Sequence, residues 1–427
     1  MHSPAGAAVA GRSGAVLVLG SDTRSFLSVV RSLGRRGLRV HVAWCPPGSP
    51  ALRSRYIERA HDIPPYDAAD RSWLHAFVAL LRRERFELVV PCDDPTLLPL
   101  QLHRDELEPH GRLYLLGREA FAVTSSKLET SELARRVGVP TPRELVARRA
   151  EAADEVCDEV CAWSRFPVVL KPHSSYGVDD LTSKRFVRKV ATAAELRSAL
   201  GEMLSHGPVQ VQEHATGAGV GVELLAADGD VLVAFQHLRV HEPPAGGGSS
   251  YRKSVALDPA LLDAARRLVR ALRYTGVAMV EFKVDARTGR WTLIEINGRF
   301  WGSLPLAVGA GADFPYYLYQ LLVEGRRDFP AGYRVGLYAR NWLKDAAWLR
   351  ANAAASRNDS RLTRVPLWRV AAELVNVLTL RERSDTFVLD DPMPALAEIA
   401  AAARRLVGRR ARAGRPGAAA PAVRADA

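Results

Sequence analysis

The feature that most constrains this chain is a pair of apolar strands that carry acidic side chains, "GVAMVEFKVDARTGRWTLIEINGRFWG" from Gly276 to Gly302. Two apolar runs flank "DARTG", whose composition is typical of a turn, so the segment is predicted to be a β-hairpin. A carboxylate in a buried strand costs several kcal/mol unless it is paired or bound to a metal. The fold must therefore bring positive charge to Glu281 and Glu295.

The register of this hairpin follows from arithmetic. If the turn is centred on Thr288, Glu281 lies directly opposite Glu295. Because strand side chains alternate between faces, Glu281, Glu295 and Asn297 share one face. A slip of one residue would move one glutamate to the other face.

Two interpretations of this acidic face remain open. In the first, each carboxylate pairs with a cation on its own face, such as Lys283 or Arg299. In the second, two carboxylates and an amide carbonyl bind a hard divalent cation, which prefers oxygen ligands. We expect the second, because opposed carboxylates repel one another.

A phosphate-binding segment is predicted upstream. Lys171 ends the strand "FPVVLKP" and precedes a loop of small and polar residues, "HSSYGVDDLTSK". Backbone N–H groups and hydroxyls in such a loop can hold phosphate oxygens, with a lysine as the point charge. The candidates are Lys127, Lys171, Ser174, Ser175, Gly177 and Lys184.

The N-terminal part is predicted to be a parallel α/β sheet. "AVLVLG" is a continuous apolar run of the kind buried on both faces, and strands then alternate with amphipathic helices. The turn after this strand, "GSDTRSF", has one glycine where a dinucleotide-binding fingerprint needs three, which argues against NAD.

Composition excludes several classes of protein. No apolar run reaches the ~18–20 residues that span a bilayer, and no signal peptide is recognised, so a cytoplasmic location is expected. The four cysteines do not have the spacing of a zinc site. Residues 404–427 carry seven Arg and one Asp, half of the formal net charge of +12, and no nucleic-acid-binding motif accompanies them.

Five segments resemble, in order and spacing, the ATP-grasp enzymes of the biotin carboxylase and carbamoyl-phosphate-synthase-like branch. They are "KLETSELARRVGVPTP", "FPVVLKPHSSYG", "VQEHATGAGVGVELL", "GVAMVEFKVD" and "LIEINGRFWGSLPLAVGAGADFP". The lid loop has fewer glycines than that of biotin carboxylase, and no biotin-attachment Met-Lys is present. A stand-alone carboxylate–amine ligase therefore fits better.

The resemblance implies an α/β fold with an N-terminal parallel sheet, a two-subdomain ATP-grasp unit and a C-terminal extension. The expected division is a disordered N-terminus (1–13), a pre-ATP-grasp domain (14–122), a helical linker (123–142), a lid (143–211), a large subdomain with the magnesium site (212–332), a helical extension (333–403) and a disordered Arg-rich tail (404–427).

The resemblance also implies roles for individual residues. Lys127 and Lys171 would contact the ATP phosphates, and the hinge at Gln212 and Glu213 would hold adenine through its backbone. Glu223 would approach the ribose. Glu281, Glu295 and Asn297 would bind Mg²⁺, with Mn²⁺ as an alternative ion; Arg299 would stabilise the transferring phosphoryl group, and Arg239 would lie on the substrate side.

The implied reaction joins a small-molecule carboxylate to an amine through an acylphosphate, with release of ADP. The alternatives are a non-catalytic nucleotide-binding module and a phosphotransferase that stops after phosphoryl transfer. Two further predictions concern partners. We expect a homodimer without nucleic acid or a membrane span, and we expect Trp342, Trp348 and Trp368 to pack on the core or a second copy rather than on a membrane.

Overall fold

The computed structural model describes residues 14–163, 165–243, 248–355 and 364–413. They form a mixed α/β structure with three sheets, of four, four and seven strands. This confirms the predicted fold class. Residues 1–13 and 414–427, on which the predicted N-terminus and most of the predicted tail fall, lie outside the described residues.

The first sheet is parallel and has the order β3-β2-β1-β4. Its strands are β1 (Ala15–Leu19), β2 (Arg39–Ala43), β3 (Ile57–His61) and β4 (Leu88–Pro91). All five residues of β1 are buried, as its continuous apolar sequence predicts. The accompanying helices are α1 (Ser25–Arg35), α2 (Ser72–Glu84), α3 (Asp94–Leu102), α4 (Arg104–Leu107) and α5 (Arg118–Ser125).

Helix α6 (Lys127–Arg136) connects this sheet to the next one. The Ser126 side chain accepts a hydrogen bond from the backbone N–H of Glu129 at 3.3 Å, which caps the first turn. Gly138, at φ +70°, follows the helix in the left-handed conformation that ends helices. The cap places Lys127 in the first helical turn.

The second sheet is antiparallel, with the order β5-β8-β6-β7. Its strands are β5 (Glu144–Ala147), β6 (Val168–Pro172), β7 (Arg188–Val190) and β8 (Val209–Glu213). Helices α7 (Ala153–Trp163) and α8 (Ala193–Leu204) cover it and enclose a separate apolar cluster. Cys157 and Cys161, both in α7, are free thiols, and the described residues contain no group of three or more His, Cys, Asp or Glu able to hold a metal.

The third sheet has the order β13-β12-β9-β10-β11-β14-β15. Its strands are β9 (Ala218–Ala227), β10 (Asp230–His241), β11 (Tyr251–Val255), β12 (Gly276–Val284), β13 (Trp291–Asn297), β14 (Tyr338–Arg340) and β15 (Glu382–Ser384). The predicted Asp228-Gly229 turn joins β9 to β10, and both of its residues have positive φ. Helices α9 (Pro259–Ala271), α10 (Leu304–Gly309) and α11 (Phe314–Glu324) pack against this sheet.

The first and third sheets share one hydrophobic core. Helix α1 packs against α10 and α11, and the Tyr114 hydroxyl accepts a hydrogen bond from the backbone N–H of Val277 at 2.9 Å. Burial of these apolar side chains holds the carboxyl ends of the parallel strands close to the acidic hairpin. The second sheet is joined to this body through α6 and β8.

The C-terminal extension differs from the predicted helical unit. It contains α12 (Trp342–Ala354), α13 (Leu367–Ala372), α14 (Leu374–Leu378) and α15 (Met393–Ala413), but also the strands β14 and β15 at the edge of the large sheet. Three-residue strands carry too weak a period-2 pattern to be seen in sequence. Helix α15 continues to Ala413, so the predicted start of the tail at residue 404 is too early.

The predicted packing of the C-terminal tryptophans holds for one of the three. Trp348 is buried, stacked on His241 with the two ring centroids 3.4 Å apart. Trp342 is 48% exposed and Trp368 is 68% exposed, so neither packs on the core, and packing of these two on a second copy stays a prediction. No described helix combines the length and apolarity needed to cross a bilayer.

Candidate functional site

The two acidic residues of the hairpin face each other, as predicted. Glu281 on β12 pairs with Glu295 on β13, whereas Phe282 pairs with Leu293. Ile294 is therefore left without a partner on β12, which defines a β-bulge. The bulge shifts the register by one residue and places both carboxylates on the same face.

Asn297 joins the two carboxylates. Its Nδ2 donates to Glu281 Oε1 at 3.3 Å and to Glu295 Oε1 at 3.1 Å. Asn297 thus contacts both of the other side chains predicted as metal ligands. The arrangement supplies carboxylate and amide oxygens, the donors a hard divalent cation prefers.

Glu281 also forms an ion pair with Arg239, whose Nη2 lies 2.5 Å from Glu281 Oε2. Arg239 is on β10, and strand β9 runs between β10 and β12. Its side chain can cross β9 because residue 219 is glycine: a Cβ there would lie 2.6 Å from Arg239 Cδ. Gly221 leaves the same kind of space for the ring of His237. Two glycines at alternate positions therefore open a path over β9.

Glu295 is balanced by two lysines. Lys171 donates from Nζ to the carbonyl oxygen of Ile294 at 3.1 Å, and Lys127 donates from Nζ to Ser175 Oγ at 3.2 Å. Burial lowers the pKa of Lys171 to about 8, and the nearby Lys127 charge acts in the same direction. Burial likewise lowers the pKa of Lys127. Both lysines gain from a negatively charged partner such as a phosphate.

The two glutamates have opposite pKa shifts. Burial raises the pKa of Glu281; Arg239 opposes that shift and the facing Glu295 adds to it. Burial also acts to raise the pKa of Glu295, but Lys127 and Lys171 outweigh it, so the pKa of Glu295 falls below its usual value. The pair therefore resists carrying two negative charges unless more positive charge is added.

Arg299 is held by an aspartate from the first sheet. Its Nε donates to Asp94 Oδ1 at 2.8 Å, and its Nη1 donates to the Phe300 carbonyl at 2.8 Å. Burial opposes the charged form, yet the pKa of Arg299 is raised because Asp94 stabilises the guanidinium. Neither Lys283 nor Arg299 pairs with the glutamates: Lys283 Nζ bonds Glu242 at 2.8 Å. The two cations named as examples are therefore not the partners, but the first interpretation holds for Glu281, which pairs with Arg239.

The lid loop brings the small polar candidates together around Arg185. The backbone N–H of Arg185 donates to the Ser175 carbonyl at 2.9 Å, and its Nη1 donates to Ser174 Oγ at 3.4 Å. A Cβ on Gly177 would lie 2.8 Å from Arg185 Nη2. Lys184, the last of the lysine candidates, acts on Asp94. Burial acts to raise the pKa of Asp94, but Arg299, Lys184 and Lys127 outweigh it, so the pKa is lowered.

The predicted hinge residues lie at the end of β8 and have different surroundings. Gln212 is buried, and its Nε2 donates to Glu144 Oε2 at 2.5 Å. Glu213 is exposed, and its backbone N–H donates to the Arg143 carbonyl at 2.9 Å. The Gln212 side chain is thus bonded within the second sheet, and a contact of this segment with adenine through the backbone stays a prediction.

Glu223 lies on the same face as Glu281, one row further along the sheet. It pairs with Met279, which in turn pairs with Asn297. Its Oε1 is 2.7 Å from His237 Nδ1 and accepts from Ser303 Oγ at 3.0 Å. Its Oε2 is buried and has no hydrogen-bond partner among the described residues. An unpaired buried acceptor fits a donor brought by a ligand, which is compatible with the predicted contact to a ribose hydroxyl.

Sequence reasoning missed several residues of this region. Asp94 follows β4 at the carboxyl end of a parallel strand, where functional side chains collect, and that position was the available signal. The sequence around His237 and around the two glycines of β9 predicts strands but does not indicate that these residues lie at the site. Arg24 lies against Gly302, where a Cβ would be 2.8 Å from its Nη1, and no sequence pattern connects those positions.

The chain is similar to known proteins in sequence and in fold. Residues 206–339 match the family described as "ATP-grasp in the biosynthetic pathway with Ter operon". The chain is 37% identical over 121 residues to D-alanine–D-alanine ligase of Glaesserella parasuis serovar 5, covering 28% of this chain and 37% of that ligase. It is 23% identical over 302 residues to D-aspartate ligase of Enterococcus faecium, covering 66% and 70% of the two chains. The chain thus spans little more than a third of the first of these ligases.

A solved structure shows the same fold. Biotin carboxylase from Campylobacter jejuni, in its β,γ-ATP complex, superposes with a TM-score of 0.60 at 18% sequence identity. The superposition covers 77% of this chain and 74% of that one. At this identity the likeness establishes a common architecture, and the chemistry has to be argued from the residues described above.

Proposed function

We propose that this chain, which is an ATP-grasp protein, is an ATP- and magnesium-dependent ligase that joins a small-molecule carboxylate to an amine. The observation that carries the proposal is the contact set of Glu281, Glu295 and Asn297, with Lys127 and Lys171 beside it. Acidic metal ligands next to phosphate-binding cations are what phosphoryl transfer from a nucleotide requires. The relatives named D-alanine–D-alanine ligase and D-aspartate ligase support the carboxylate–amine class.

The residues fit a bound magnesium ion. The buried carboxylate of Glu281 faces the half-buried carboxylate of Glu295, and the raised pKa of Glu281 reflects the cost of charging both. Glu281, Glu295 and Asn297 would hold the ion, which would neutralise charge on the phosphate oxygens. Glu281 would then be shared between the ion and Arg239, so metal binding would loosen the Arg239–Glu281 ion pair. Manganese has similar ligand preferences and would serve as a substitute.

The basic residues have separate proposed tasks. Lys127 and Lys171 bind the non-bridging phosphate oxygens, and their depressed pKa values mean that a phosphate restores their full charge. Arg299, oriented by Asp94, stabilises the phosphoryl group during transfer. Arg239, once it leaves Glu281, can bind the substrate carboxylate. Glu223 accepts a hydrogen bond from the ribose, and the backbone after Gln212 receives adenine.

The proposed reaction has two steps. A carboxylate oxygen of the substrate attacks the γ-phosphorus, the bond between that phosphorus and the β–γ bridging oxygen breaks, and ADP leaves. The amine nitrogen then attacks the acyl carbon of the acylphosphate, inorganic phosphate departs with its bonding electron pair, and the nitrogen loses a proton. One ATP is thus converted to ADP and phosphate for each amide bond formed.

Hydroxylamine trapping tests this proposal. The purified chain is incubated with ATP, Mg²⁺, hydroxylamine and one carboxylic acid from a panel of D- and L-amino acids, and hydroxamate and ADP are measured. We expect equal amounts of both with at least one acid, and amide with phosphate when an amine replaces hydroxylamine. An acylphosphate that accumulates without transfer to any amine would favour the phosphotransferase. ATP binding without ADP formation across the panel would favour the non-catalytic module.

A further inference from the structure

In the segment from residue 364 to residue 383, acidic and amide side chains face the protein and apolar side chains face solvent. An ordinary surface helix has the opposite arrangement. The Glu373 side chain points inward: its Oε1 lies 3.0 Å from His241 Nε2, and its Oε2 lies 2.9 Å from Arg340 Nη2. One turn later, Asn376 donates from Nδ2 to the Tyr251 hydroxyl at 3.0 Å. These partly buried polar contacts hold α13 and α14 against the edge of the large sheet.

The apolar side chains of the same segment point outward. Leu378 is 81% exposed and Leu380 is 73% exposed, in addition to the exposed Trp368. We call the following set the outer face: Leu367, Trp368, Leu374, Val375, Leu378 and Leu380. Apolar side chains this exposed and this close together mark a surface that contacts another apolar body.

The charged side chains of the segment are also divided between the two sides, with the acids facing the protein and the arginines facing solvent. Its acids and the following Asp385 face inward: Glu373 and Glu382 pair with Arg340, and Asp385 pairs with Arg252. The basic residues that remain are exposed, and none has an ion pair among the described residues: Arg364, Arg369, Arg381 and Arg383. The outer face is therefore apolar with an uncompensated positive border.

We propose that the outer face binds the surface of an anionic phospholipid bilayer. Aliphatic side chains and a tryptophan enter the interfacial region, and arginines at their border pair with anionic headgroups. The formal net charge of +12 favours the same surface. A second copy of the chain fits less well, because a two-fold contact sets each patch against itself and would bring these arginines together. Packing of this region on a second copy stays the alternative that the experiment below tests.

Vesicle flotation of the full chain tests the proposal. The probes are vesicles of phosphatidylcholine and vesicles containing about one-third phosphatidylglycerol. We expect binding to the anionic vesicles only, with a loss of at least about tenfold when NaCl is raised from about 0.1 M to about 0.5 M. The tryptophan emission should shift to shorter wavelength on binding, and this shift should be much smaller in Trp368→Phe.

Matched variants distinguish binding through the outer face from non-specific hydrophobic adsorption. Leu378→Ser combined with Leu380→Ser should reduce vesicle binding at least about tenfold. Leu389→Ser removes a leucine that is 88% exposed but lies outside the outer face, and should bind like the wild type. All of these side chains are exposed, so thermal unfolding should be unchanged. The proposal would be overturned if the chain did not bind vesicles, or if the Leu378/Leu380 variant bound them as well as the wild type. It would also be overturned if the outer face mediated self-association or bound an acidic protein instead of vesicles.

Discussion

Lys171 donates a hydrogen bond from Nζ to the carbonyl oxygen of Ile294 at 3.1 Å, and Ile294 is the residue that the bulge in β13 leaves unmatched. The bulge therefore has two effects. It aligns Glu295 with Glu281, and it turns a backbone acceptor toward the lysine at the end of β6. The second sheet and the acidic hairpin are joined at the point where we expect phosphate and metal to meet.

Lys171→Met should lower kcat/KM for ATP at least about 100-fold, because the buried cation that neutralises phosphate charge is lost. Lys171→Arg should retain more activity than Lys171→Met, since it keeps the charge but not the compact ammonium. Steady-state kinetics of ADP release measures both. Equal activity in the methionine variant and the wild type would show that Lys171 is structural.

Asp94→Asn should lower kcat more than it raises KM for ATP, by about 10- to 100-fold, because Arg299 loses the carboxylate that orients it. Asp94 acts through Arg299 and is a positioning residue. Asp105→Asn is the matched control, since Asp105 is exposed and its partner, Arg118, is exposed too. A KM effect alone, or the same loss in both variants, would contradict the positioning role.

Gly219→Ala should displace the Arg239 side chain, because the new Cβ would lie 2.6 Å from Arg239 Cδ. We expect a loss of unfolding free energy of about 1–3 kcal/mol from this overpacking, together with weaker substrate binding. Gly201→Ala, in helix α8 where a Cβ meets nothing within 4 Å, should instead stabilise the chain by up to about 1 kcal/mol. Urea unfolding monitored by circular dichroism gives both values; equal effects would exclude the steric explanation.

The hairpin shows how far sequence reasoning reaches. The Glu281–Glu295 pair was predicted from a turn centred on Thr288. Near the turn, however, Val284 pairs with Trp291, and the midpoint of that pair falls between Arg287 and Thr288. The bulge then restores the predicted pair. A bulge leaves no signature in the alternation of apolar residues, so the residues were correct while the register near the turn was not.

The residues that pair with Glu281 and Glu295 could not be predicted from the sequence for a different reason. Arg239 reaches Glu281 across β9, and this contact depends on the order of strands in the sheet, which a local pattern does not reveal. Lys283 is two residues from Glu281 on the same strand face, yet its ammonium pairs with Glu242. Local periodicity thus identified strands, caps and the acidic face, whereas long-range pairing required the assembled sheet.

His241 should make stability depend on pH. Burial acts to lower its pKa, but the hydrogen bonds to Asp345 and Glu373 prevail, so the folded pKa is raised above 6.5. The contribution of a group with a raised pKa is complete below the unfolded value and is lost as pH rises through the folded value. Arg340 pairs with the same two carboxylates, which also lie within hydrogen-bonding distance of the His241 ring.

Thermal unfolding measured from about pH 6 to about pH 9 should therefore show a decline that His241→Gln removes. His75→Gln, at an exposed position on α2, should keep the decline of the wild type. If the His241 variant and the wild type declined in parallel, this imidazole would not be the group responsible. The same measurement reports on the attachment of α13 and α14, because Glu373 holds them to His241.

The central claim is that Glu281, Glu295 and Asn297 hold a divalent cation together with ATP. Electron paramagnetic resonance of Mn²⁺ measures this binding without turnover, in the wild type, in Glu295→Gln, and in Glu202→Gln, an exposed glutamate paired with Arg188 on the surface. Glu295→Gln should weaken Mn²⁺ binding in the presence of ATP at least about tenfold and abolish ADP formation, with an unchanged fold by circular dichroism. Glu202→Gln should match the wild type. Wild-type Mn²⁺ affinity and ADP formation in Glu295→Gln would contradict the claim.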